Sequence, residues 1–259
     1  MYQHILFGVS NNICTITLNR PQVYNALSGE LLQEIKKAID EAGADTDVRV
    51  VVLTGTGDKA FSSGADLKTE MASGISLGES LRINYNPLIL AMRNLPKPII
   101  GRLNGIAVGA GCSIALACDV IIAADTAALS QIFVNIGLIP DAGSSYFLPR
   151  LIGAAKAFEL ASTGRIVPAA ECLSLGLVSK VVPQAELDDA VAVLANQYAQ
   201  APTKAIGYMK MILNQSHEST LEQMLALEAD YQDQCGHTHD AGEGIMAFLQ
   251  KRKAVYLGR

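Results

Sequence analysis

The 259-residue sequence has no tryptophan, only four histidines, and five cysteines with no C-x-x-C pair among them. Each shortage removes a class of function. The histidines stand at 4, 217, 237 and 239. The "HTH" of residues 237–239 has no Cys or His spaced to complete a metal set, so it reads as a solvated loop and no metal is expected. The cysteines, at 14, 112, 118, 172 and 235, are odd in number and scattered, which suits reduced thiols in a cytoplasmic protein. Charge is scarce as well: 17% of residues are charged and the net charge is −5. No basic stripe with interleaved aromatics exists, which excludes nucleic acid as a partner. The longest weakly charged stretch, "LNGIAVGAGCSIALAC", is bracketed by Arg102 and Asp119. It is too short and too glycine-rich to span a bilayer, so no membrane role is expected. The opening "MYQHILFGVS" lacks the basic and small-residue marks of a secretory leader, and the "NQS" at Asn214 carries no weight without one.

What is abundant is apolar: 50% of residues are hydrophobic, enough for a sizeable core. "NICTITLN" alternates, with Cys14, Ile16 and Leu18 on one face of a half-buried strand. Ser28 can cap a helix carrying Leu31, Leu32, Ile35, Ala38 and Ile39 at helical spacing. "VRVVVLTG" is a continuous apolar run, as in a strand buried on both faces. "PIIGRLNG", "DVIIAAD" and "GLVSKVVP" read as strands, "GAGCSIALAC" as a tightly packed helix, and "GAAKAFELASTG" as a helix closed by Gly164. Strand, strand, helix recurs without a fixed period, which is α/β in type but not a clean βαβ alternation. No strand is expected after Ala195. "PTKAIGYMKMILNQ", "STLEQMLALEADYQDQ" and "GEGIMAFLQKRK" are helical. The boundary is therefore placed between a mixed core, residues 1–195, and a helical region, residues 196–259, whose apolar stripes need something to pack on, such as a neighbouring subunit.

Several glycine- and serine-rich stretches mimic motifs. "TGTGDKAF" lacks the G-x-x-x-x-G-K-[ST] of a phosphate loop and reads as a turn after a strand. "GIAVGAGCS" does not keep the dinucleotide spacing; close helix packing and a role for its backbone N–H groups both stay open. Ser144 and Ser145 have no G-x-S-x-G context. The pointed feature is "NIGLIPDAGSSYFLPR", residues 135–150, where Asp141 is the sole acid between Asp125 and Glu159. On its residues alone, Asp141 reads as the N-cap of a short helix through Leu148.

"AFSSGADL" (60–67) and "NGIAVGAGCSIALACDVIIAADTAALS" (104–130) resemble the two signature segments of the crotonase, or enoyl-CoA hydratase/isomerase, superfamily. The resemblance continues through "LNRPQVYNALS", "GLIPDAGSSYFLPRLIG", "GLVSKVV" and "EGIMAFLQKRK", and covers nearly the whole chain in order. It implies an α/β fold built as a spiral of ββα repeats, with a C-terminal helical trimerisation region and assembly as a homotrimer or dimer of trimers. The substrate would be an acyl-CoA thioester, with coenzyme A as part of the substrate and no separate cofactor. Its carbonyl oxygen would sit between the N–H groups of Ala65 and Ala110, an oxyanion hole. The CoA moiety would run along Asn25, Ala26 and Leu27 and along Ser62, Ser63, Gly64 and Asp66. Lys68, Phe248 and Lys251 match positions that often meet CoA, the last two from a neighbouring subunit or the C-terminal tail.

One departure bears on the chemistry. Hydratases of this family use two glutamates, at the ends of the segments that read here "GAGCS" and "SQIF"; this chain has Ser113 and Phe133 there. What remains is Asp141. Its "GLIPD" setting, with "NPLILAMRNLPKP" and "LEADYQ", resembles the phenylacetate-pathway isomerase branch, which moves a double bond in a ring-derived or 3-enoyl-CoA thioester. The resemblance reverses the cap reading and makes Asp141 a single base and acid. An apolar acyl pocket of Ile132, Phe133, Leu138 and Ser113, with Ile139 nearby, would raise its pKa. Tyr85 and Tyr146 are further candidate contacts. Rival readings are dehalogenation, which in this superfamily relies on a tryptophan and an activating histidine, and a catalytically silent acyl-CoA-binding subunit.

Overall fold

The computed structural model describes residues 2–259, apart from the side chain of Ser73. Two sheets divide the strands. The larger has the order β1 (Ile5–Ser10), β2 (Ile13–Leu18), β3 (Val50–Gly55), β5 (Ile99–Leu103), β7 (Val120–Ala124) and β10 (Lys180–Val182). The smaller has the order β4 (Ala60–Ser62), β6 (Ile106–Val108), β8 (Ala128–Ser130) and β9 (Ile166–Pro168). Only the β1–β2 hairpin and the β8–β9 edge are antiparallel; every other pairing is parallel.

The expected alternation holds in β2, where Cys14, Ile16 and Leu18 are buried. β3 is buried at all six positions, as a central strand covered on both faces must be. The Ser28 hydroxyl accepts from Leu31 N at 3.3 Å and starts the helix Gly29–Ala44, which buries its five predicted apolar residues. Gly164 closes the helix Ala154–Thr163 in the left-handed region, at φ 60°.

The chain passes from a strand of the larger sheet to a short strand of the smaller one and then into a helix: β3–β4, β5–β6 and β7–β8 each do so. This is the expected strand-strand-helix spiral. Because β4, β6 and β8 are parallel neighbours, the segments leaving them emerge at one edge of the small sheet. That edge is where residues 63–66, 109–110 and 131–136 meet. The three-residue strands β4, β6, β8 and β9, and the hairpin strand β1, had no readable period.

The helix Leu187–Ala199 packs across the larger sheet and runs straight through position 195, so the separate helical tail starts after Ala199. The tail has the three expected helices, Thr203–Gln215, Leu221–Gly236 and His239–Leu249. The first is tied to the core by Lys210, whose buried ammonium reaches Asp119 and the carbonyl of Met92, each at 2.8 Å. Among the described residues, no helix is long and apolar enough to cross a membrane.

Candidate active site

The segments at the small-sheet edge enclose a cavity of about 190 Å³. One wall is backbone: Gly64, Ala65, Gly109 and Ala110. The others are the apolar side chains of Leu67, Leu77, Leu81, Ile132, Phe133 and Leu138, with Glu70, Tyr85 and Asp141 as the ionisable groups.

The backbone wall is held by a dense set of bonds that leaves two donors over. An isolated parallel bridge joins Leu27 to Ala65, through Leu27 N to Gly64 O at 2.8 Å and Asp66 N to Leu27 O at 2.9 Å. Gly64 N donates to Ser62 Oγ at 3.2 Å, and Gly109 N to Ser130 O at 2.9 Å. The N–H groups of Ala65 and Ala110 have no acceptor among the described residues. For Ala110 the reason is general: it is the first residue of the helix Ala110–Leu116, where no intrahelical carbonyl is available. The two loops touch at Gly64, at φ +90°; a Cβ there would stand 2.8 Å from Val108 O and 3.8 Å from Ala110 N. Glycine is required at that crossing on both counts.

Asp141 lines the same cavity, together with the apolar side chains. Its Oδ1 is buried and has no hydrogen-bond partner among the described residues. Burial, and secondarily the charge on Glu70, push its pKa up to about 7. It does not cap the following helix: Ser144–Ile152 begins at Gly143 with no side-chain cap, and only the carbonyl of Asp141 takes a bond, from Ser144 N at 3.0 Å. Ala142 and Gly143 are both in the left-handed region, at φ 47° and 86°, between Asp141 and the helix it leaves uncapped, and Asp141 lines the cavity. The cap reading is therefore replaced.

Glu70 was not anticipated. Its Oε1 accepts from Tyr85 Oη at 2.8 Å and from Ser80 Oγ at 3.4 Å. It lies on the helix Leu67–Ser73, one turn after Leu67, and both line the cavity. That i, i+3 pairing was the available signal. A group that can abstract a proton, a second carboxylate, and two unused N–H donors thus share one small, mostly apolar space.

The sequence signature of the enoyl-CoA hydratase/isomerase family matches residues 8–259. A 1,2-epoxyphenylacetyl-CoA isomerase of Escherichia coli (strain K12) is 36% identical, with all of both chains aligned. A short-chain-enoyl-CoA hydratase of Clostridium acetobutylicum is 33% identical over 96% of each chain. The crystal structure of an enoyl-CoA hydratase from Bacillus anthracis superposes with a TM-score of 0.93 at 34% identity, covering 99% of this chain and 100% of that one. The chain belongs to the enoyl-CoA hydratase/isomerase family. It has the crotonase fold that the sequence led us to expect.

Within this family member, the residues predicted to serve the site separate into three groups. Ala65, Ala110, Ser63, Gly64, Ile132, Phe133, Leu138, Tyr85 and Asp141 do line the cavity. Asn25, Ala26, Leu27, Ser62 and Asp66 build the ledge beside it, but their side chains are committed or buried. Asn25 Nδ2 donates to Ala60 O at 2.9 Å, and Ser62 Oγ donates to Asn25 O at 2.8 Å. Asp66 pairs with Arg20 at 2.9 Å; burial would raise its pKa, but Arg20 and the Thr69 N–H outweigh that and lower it. The third group lies elsewhere. Ser113 is wholly buried and turned away from the cavity, bonding Gly109 O at 3.2 Å and Ser144 Oγ at 2.8 Å, so it is a helix-packing residue and not an acyl-pocket one. Ile139 is exposed, and Tyr146 lies under the Arg150 guanidinium, 3.5 Å from its ring centroid. Lys68, Phe248 and Lys251 are exposed and do not line the cavity.

Proposed function

We propose that this protein is an acyl-CoA isomerase that moves the double bond of a 3-enoyl or ring-derived CoA thioester into conjugation, with Asp141 as its single base and acid. The carrying observation is that Asp141, whose Oδ1 is buried with no hydrogen-bond partner among the described residues, lines the same cavity as Ala65 and Ala110, whose N–H groups have no acceptor among those residues. Asp141 takes a proton from C2. The thioester oxygen, which gains negative charge, is held by Ala65 and Ala110; such fixed donors are worth roughly 3–4 kcal/mol each in a dry site. Protonated Asp141 then returns a proton at C4. A pKa near 7 suits a group that must do both.

The places of the two hydratase glutamates support this reading. The Ser113 hydroxyl is spent on Gly109 O and Ser144 Oγ, and Phe133 contributes an apolar wall, so neither side chain supplies a carboxylate to polarise water. A hydratase reading draws on Glu70 instead, a second carboxylate in the same cavity. The CoA moiety would run along the ledge of residues 25–27 and 62–66, largely on backbone groups. The exposed apolar side chains of the tail, Leu213, Leu225, Ile245, Phe248 and Leu249 among them, favour burial between copies in a homotrimer or dimer of trimers. Phe248 and Lys251 would then reach a neighbour's CoA. Five unpaired cysteines suit a reducing, cytoplasmic setting.

The test is ultraviolet absorbance. Purified protein mixed with a 3-enoyl-CoA should generate the conjugated 2-enoyl thioester, and Asp141→Asn should not. Loss of a supplied 2-enoyl-CoA signal, with no gain from 3-enoyl-CoA, would overturn isomerisation in favour of hydration. Inertness toward both would leave a binder.

A further inference from the structure

Glu70 and Ser80 occupy an unusual place: they line two spaces at once. One is the Asp141 cavity. The other is a separate cleft of about 240 Å³, whose lining includes Glu30, Gln33, Thr69 and Asn84. The two spaces differ in chemistry. The active cavity is mostly apolar, while about half of the cleft's lining is polar, and Glu30 and Gln33 in it stand on the exposed face of the helix Gly29–Ala44. Common to both are Glu70 and one of its hydroxyl donors, Ser80; the other, Tyr85, lines the active cavity, and both donor side chains are buried. A buried tyrosine and serine that spend their hydroxyls on one carboxylate fix it in the wall. Held that way, it can take a proton from one side and release one to the other.

We infer that Glu70 is the proton relay of this site, exchanging the proton held by Asp141 with solvent through the polar cleft. The inference rests on the isomerase reading and adds the fate of the proton to it. The balance is simple. The C2–H bond breaks, its proton passes to Asp141, and the electron pair stays in the dienolate. Protonated Asp141 gives that proton to Glu70, which releases it to the cleft. A solvent proton follows the reverse path to Asp141 and forms the new bond at C4. No oxidant or second substrate is involved. Without the relay, Asp141 can only return the proton that it took.

The experiment is isomerisation of an unlabelled 3-enoyl-CoA in D₂O, with the deuterium content at C4 of the 2-enoyl product read by mass spectrometry. Wild type should give about one deuteron per product molecule. Glu70→Gln should turn over more slowly and lower the deuterium per product by about tenfold, because each proton is returned before it exchanges. Glu70→Asp should restore much of the label, and Tyr85→Phe should fall between. A purely structural role for Glu70 would slow turnover in the Gln variant without changing the label. Equal labelling in wild type and Glu70→Gln, or a wild-type product free of deuterium, overturns the relay while leaving the isomerase reading intact. Absence of any product from wild type overturns the isomerase reading, and the relay with it.

Discussion

Glu70 and Asp141 face the same apolar cavity, and after burial it is the negative charge of Glu70 that keeps the Asp141 carboxyl protonated up to about pH 7. Only ionised Asp141 can abstract a proton. kcat/KM should therefore rise with pH through a midpoint near 7 and flatten above it, since this parameter reports the free enzyme. Removing a like charge favours ionisation, so Glu70→Gln should move that midpoint to lower pH. A midpoint that stays put in the variant would mean that the two carboxylates do not sense each other.

The same shift has a cost in stability. Asp141 is raised from 3.8 to about 7 in the folded state, so the fold holds more protons than the unfolded chain across that window. The contribution of the neutral carboxyl is complete below about pH 4 and is lost as pH rises through about 7. Asp141→Asn removes the penalty. Allowing for the partial exposure of the residue, it should stabilise the protein by on the order of 2 kcal/mol at alkaline pH and by little at acid pH. Urea denaturation of both proteins on either side of neutrality checks the sign. A variant no more stable at alkaline pH would contradict a desolvated carboxylate.

The tail offers a prediction independent of the chemistry. Phe248 and Leu249 are 83% and 68% exposed, side by side at the end of the last helix, and Ile245 is 62% exposed one turn earlier. Apolar exposure of that density calls for a partner surface. Phe248→Asp with Leu249→Asp should shift the sedimentation coefficient from a trimer or hexamer toward a monomer, while the circular dichroism of the core persists. A wild-type protein that sediments as a monomer would remove the assembly reading at once.

The parts of this molecule that were legible in its sequence are those whose signal is local. Cys14, Ile16 and Leu18 announce a strand because alternation needs only neighbours, and Ser28 announces a helix because a cap acts within one turn. Asp141 stood out locally as an acid alone among apolar residues, but that pattern by itself read as a helix cap; it was the family resemblance that turned the reading toward the cavity. Glu70 did not stand out. Nothing local in "LKTEMASG" marks it, and it is fixed in the cavity wall because Tyr85 and Ser80, 15 and 10 residues later, bond to it. Ser113 failed in the opposite way. Its place in a signature segment pointed to the pocket, but its hydroxyl finds Ser144, 31 residues away, and turns from the substrate side. The strands β4, β6, β8 and β9 are three residues each, too short for any period to emerge.

Gly64 is the sharpest test of the backbone wall. At φ +90° any side chain is strained, by about 1–2 kcal/mol. The added Cβ would also stand 2.8 Å from Val108 O, which is backbone and cannot swing aside. Val108 leads directly into Gly109 and Ala110, and Gly64 into Ala65, so relief of the clash must separate the two free N–H groups. Gly64→Ala should lower kcat/KM by about 10²–10³, the loss seen when one donor to a developing oxyanion is removed. Gly57→Ala is the control: it has a similar φ of +84° but meets nothing within 4 Å, so it carries the strain without moving either donor. If both variants lose activity equally, the effect is one of stability; if Gly64→Ala alone loses it, the close crossing of the two loops is what sets the donors in place.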